Sequence, residues 1–76
     1  SAGSVHAMED CSLIMRLMNT LGASMARNRM LIASSQQTGD NKAQAEQASE
    51  LLSRQTSNYR DLREDYERNR CGRDWE

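Results

Sequence analysis

Few side chains in this chain could do chemistry, and the two cysteines, Cys11 and Cys71, are foremost among them. A thiol becomes a nucleophile only beside a base that takes its proton, and the neighbours Glu9, Asp10, Arg68 and Arg70 include none suited to that task. Zinc sites need cysteines in closely spaced pairs, whereas these lie sixty residues apart. The only histidine, His6, stands near the start, so a metal centre would lack imidazole ligands. Carboxylates are plentiful, but none is paired on an apolar face in the way acid–base catalysis requires. Glycine-rich phosphate loops and serine-nucleophile turns are absent. The expectation is therefore no enzyme, no metal and no cofactor. For the cysteines it is a structural disulfide, favoured over an intermolecular bond or free thiols.

A bond between Cys11 and Cys71 requires elements that return the chain on itself, and the apolar pattern supplies them. One series runs Met8, Cys11, Met15, Met18, Gly22, Met25, Arg29, Ile32, Gln36, and a second runs Ala45, Ala48, Leu52, Gln55, Tyr59, Leu62, Tyr66, Asn69. Both step alternately by three and four residues, the period of a helix packed on a helix. Reading the second backwards pairs Met15 with Tyr66, Met18 with Leu62, Gly22 with Tyr59, Ile32 with Ala48, Gln36 with Ala45 and Cys11 with Cys71. An antiparallel hairpin is the arrangement that makes such a mirror. Gly22 opposite the large Tyr59 would let the helices approach closely, and Arg29, Gln55 and Asn69 are polar seam positions of the kind that fix register.

Between the two series lies Thr38-Gly39-Asp40-Asn41, in which Gly39 can end one helix and Asp40 can cap the next. The expected layout is a flexible start over 1–6, a helix over 7–37, a turn over 38–41, a helix over 41–70 ended by Gly72, and a tail over 73–76. The opening Ser1-Ala2-Gly3-Ser4 reads as a remnant of expression. An unbroken rod through Gly39 is the rival, but continuing the first seam would bury Glu46, Glu50, Arg60 and Glu64 without partners. Spaced charges such as Glu50 before Arg54, Glu64 before Arg68 and Arg63 before Glu67 mark a solvated face.

Composition agrees with an all-α hairpin. The chain has no proline or phenylalanine, and residues that favour helix are abundant. Ten basic and eleven acidic side chains leave a net charge of −1, so nothing draws the chain to nucleic acid or an anionic membrane. The longest apolar run, Leu13-Ile14-Met15, is far short of a bilayer span. Seventy-six residues enclose one small core, which calls for a staple or a partner.

Helix one carries more apolar residues than helix two can cover. A second stripe of Leu13, Ile14, Leu17, Leu21, Met30 and Leu31 lies beside the methionine seam, and only Leu51 matches it on the other helix. The simplest cover is a second copy, giving a homodimeric four-helix bundle. The expected class is a non-catalytic interaction or structural module of an extracytoplasmic protein, periplasmic or otherwise outside the reducing cytosol. Its alternatives are a small helical inhibitor, immunity protein or secretion chaperone using the same face on a heterologous protein, or an envelope-spanning or fusion-type coiled coil. An anchor or targeting segment is expected to have been removed upstream, and Trp75 in the tail is a candidate anchor for an interface or for packing on the cysteine end.

Overall fold

The computed structural model describes the backbone of residues 2–74 and the side chains of residues 10–72. Helix α1 (Ala2–Thr38) and helix α2 (Lys42–Arg68) are packed side by side, and the short helix α3 (Cys71–Asp74) follows. The molecule measures 56 × 19 × 14 Å, its long dimension set by the 37 residues of α1 at about 1.5 Å rise each. The hairpin is therefore present, and the chain doubles back at Gly39. The side chains of His6 and Met8, and the whole of Trp75, lie outside the described residues.

The element boundaries differ from the sequence expectation at both ends. The helix begins at Ala2 rather than Ala7; no proline stands in this segment to stop it. At the other end α2 stops at Arg68, two residues early, and Gly72 lies inside α3 instead of ending α2. The break falls at Asn69 and Arg70, with Arg70 in the left-handed region at φ 55°. One such residue redirects the chain, and the redirection carries Cys71 back over α1.

At the tip Gly39 has φ 78°, and its amide donates to the Ser35 carbonyl at 2.7 Å. Asp40 does not cap α2 as expected. Its amide donates to Thr38 Oγ1 at 3.1 Å and its carbonyl accepts from Ser35 Oγ at 2.6 Å. The residue flanking α2 is Asn41, itself left-handed at φ 61°, with no side-chain capping bond. Asparagine is one of the few residues that adopts this conformation at small cost, so the second helix starts one residue later than expected.

On α2 the expected seam is the observed one: Ala48 and Gln55 are buried, Ala45, Leu52, Tyr59, Leu62 and Tyr66 are half-buried, and only Asn69 is exposed. On α1 half the seam moves by one residue. Cys11, Met18, Met25 and Ile32 keep their places, while the alternate positions are Ile14, Leu21, Asn28 and Ser35 rather than Met15, Gly22, Arg29 and Gln36. Ile14 is 8% exposed and Met15 39%. Both columns step by three and four, so the spacing alone does not choose between them. Rotating α1 this way buries Ile14, leaves Leu21 half-buried and releases the guanidinium of Arg29 to water. Gly22 remains at the edge of the seam, against Tyr59.

The apolar core is concentrated at the open end, where Cys11, Ile14 and Cys71 cluster with Met18 and Tyr66 packed on them. Both cysteines are fully buried and lie at disulfide-bonding distance, their Cα atoms 5.3 Å apart. The middle of the seam is polar. Gln55 Nε2 donates to Ser24 Oγ at 2.8 Å, and Asn28 Nδ2 donates to Gln55 Oε1 at 2.8 Å. Each buried amide and hydroxyl thus has a partner, and a shifted register would lose these bonds.

Candidate interaction surface

A two-helix pair covers only one side of each helix, leaving two long flanks where α1 and α2 meet. They differ in chemistry. On the first, Leu17 and Leu21 of α1 and Leu62 of α2 line a shallow groove with Ser24, Asn58, Asp61 and Asp65. Toward the open end the same flank continues past Leu13, Asp10 and Asn69. On the second flank Gly22, Met25 and Tyr59 form the floor, with Arg29, Arg60 and Arg63 around it.

The residues expected to form a surplus apolar face are divided by this geometry. Leu13 and Leu17 are 50% and 47% exposed on the leucine flank, Leu21 is half-buried at its floor, and Leu31 is exposed nearer the tip. Ile14 belongs instead to the core between the helices. Met30, 71% exposed, stands two residues from both Asn28 and Ile32, which places it on the far side of α1. Leu51 is exposed and level with Leu31, each being twenty residues toward the tip from its cysteine. The leucine flank is thus a discontinuous strip, with Leu13, Leu17 and Leu21 at one end and Leu31 and Leu51 at the other.

The flank is held by a stiff backing. The Gln55 bonds join the helices in the middle, and the buried cysteine pair joins them at the open end. Two ion pairs lie on α2, Arg63 to Glu67 at 3.7 Å and Arg68 to Asp65 at 3.5 Å. Arg68 turns to Asp65 rather than to Glu64, the partner its spacing suggested. Exposed pairs of this kind contribute a few tenths of a kcal/mol, roughly.

Neither Asn28 nor Ser24 is read from the sequence as a partner of Gln55. Their signal was indirect: Gln55 on an otherwise apolar seam needs partners, and Ser24 and Asn28 are the polar residues that reach it. Among the described residues no group of three or more histidine, cysteine or acidic side chains is placed to hold a metal ion, and no helix is long and apolar enough to cross a membrane. No protein-family model, curated protein or solved structure matches the chain.

Proposed function

We propose that the chain is a non-catalytic protein–protein interaction module of an extracytoplasmic protein, working through the leucine flank. The observation that carries this reading is the half-exposure of Leu13 and Leu17 beside Leu21 and Leu62 on a closed hairpin. Fully burying a leucine is worth about 1.5–3 kcal/mol, so covering the exposed part of Leu13, Leu17, Leu31 and Leu51 contributes about 1 kcal/mol each. A flat strip with this composition suits a helical partner, and the simplest assembly is a four-helix bundle formed with a second copy. The extracytoplasmic setting is supported by the buried cysteine pair, which is stable as a disulfide only outside a reducing compartment.

The test is photo-crosslinking from single positions of the protein in its own cells. A photoreactive residue at position 17 should give protein adducts, and one at position 50, on the outer face of α2, should give none. Identical adduct patterns from both positions would contradict the reading. An adduct at position 17 to a different protein would point to the inhibitor or chaperone form of the same module.

A further inference from the structure

We propose that the leucine flank receives the same flank of a second copy running in the opposite direction, with the twofold axis crossing near Ser24 and Asn58. This rests on the reading of the flank as a protein-binding surface and goes on to name the occupant and its register.

The first observation is a division of charge along the flank. Asp10, Asp61 and Asp65 line its open half, and Arg68 offsets only one of them through Asp65. The tip half is basic. Arg27 lies three residues after Ser24 and four before Leu31, and Arg54 lies three after Leu51 and four before Asn58, spacings that place both on this flank. Both are exposed.

The second observation is the spacing of the leucines about the middle. Leu17 and Leu31 stand seven residues on either side of Ser24. Asp61 and Arg54 stand on either side of Asn58. When two such flanks meet with reversed direction, each helix lies over its own counterpart. Leu17 then meets Leu31 of the second copy, and Asp61 meets Arg54 of the second copy, with each contact made twice.

The parallel alternative fails on the same residues. It lays α1 of one copy over α2 of the other at equal height. Arg27 would then face Arg54 of the other copy, at two symmetric places, and Arg54 would lose Asp61 as its partner. Like charges oppose that pairing. Charge therefore selects the direction, and the leucines supply the contact.

Sedimentation velocity on the unsubstituted 76-residue chain and two charge reversals tests this. The native chain should be a dimer at micromolar concentration, weakening as salt is raised. Asp61→Arg alone and Arg54→Asp alone should each weaken self-association by about tenfold or more, because each replaces two attractive contacts with two repulsive ones. Both positions are exposed, so the helical circular dichroism should stay as in the native chain. An equal mixture of the two variants should form a heterodimer with affinity near the native value. A mixture no tighter than either variant alone, or a native chain that stays monomeric, overturns the inference. If the native chain is monomeric while position 17 still crosslinks to another protein, only the second-copy assignment falls; if position 17 crosslinks to nothing, the reading of the flank falls with it.

Discussion

Gly22 faces the ring of Tyr59 with room for one more carbon: a Cβ added at Gly22 would sit 3.9 Å from Tyr59 Cε2, an ordinary van der Waals contact. The close approach of the helices is thus not so tight that only glycine fits. Gly22→Ala should stabilise the hairpin by about 0.5–1 kcal/mol, the helix-propensity difference between the two residues, read from urea unfolding. Gly22→Leu should destabilise it by pressing on Tyr59. A loss of stability with alanine would show the helices to be closer than described.

Gln55 sits at the middle of the seam with one bond to Ser24 and one from Asn28. Gln55→Ala removes both at a buried position and should cost about 1–3 kcal/mol. Asn28→Ala removes one and should cost less. The two changes share a bond, so the double variant should lose less than the sum of the singles. Strict additivity in denaturant unfolding would show that the bond contributes nothing.

Cys11 and Cys71 close a span of 60 residues, for which the chain-entropy model gives about 4 kcal/mol of stabilisation when the sulfurs are joined. Reduction, or Cys11→Ser with Cys71→Ser, should lower stability by up to about that amount. Hydrogen exchange should then rise first at the open end, around Ile14 and Tyr66, and last at the Gln55 bonds. Intact mass with and without reductant should differ by two hydrogen atoms, the reductant supplying the two electrons. Equal masses would remove the staple and, with it, the support for an oxidising compartment.

Arg70 holds a left-handed backbone conformation without the excuse of being glycine. For an ordinary L residue this costs roughly 1–2 kcal/mol. Arg70→Gly should therefore raise stability by about 1 kcal/mol, the relief being offset in part by the greater freedom of glycine in the unfolded chain. Asn41→Gly at the tip should give a smaller gain, since asparagine already tolerates φ 61°. No gain at Arg70, in the same unfolding measurement, would place the break between α2 and α3 elsewhere.

The hairpin, its turn at Gly39 and the meeting of the cysteines were legible because each is written redundantly: in the mirrored periodicity, in a helix-stop, and in a cysteine pair of matching register. The whole α2 seam through Tyr66 could be read for the same reason, its apolar residues having few competitors on that helix. On α1 two adjacent columns share the three-and-four spacing, and only burial decides between Ile14 and Met15. That ambiguity misassigned Ile14 to an outer face and Arg29 to the seam. Asp40 was a reasonable cap by residue type, yet the turn places its backbone, not its carboxylate, in the bonding. The charge division on the leucine flank was hidden because it combines Asp10 and Arg27 from one helix with Arg54, Asp61 and Asp65 from the other. It becomes visible only once both helices are aligned.

The most direct test of the account is sedimentation equilibrium of the oxidised chain beside Leu17→Asp and Met30→Asp. Leu17 lies on the flank argued to be covered, and Met30, more exposed still, lies on the far side of α1. The native chain and Met30→Asp should both sediment at twice the chain mass of 8.6 kDa, and Leu17→Asp should sediment at the single-chain mass. A native chain at the single mass, or a Leu17→Asp chain that remains paired, would contradict the account.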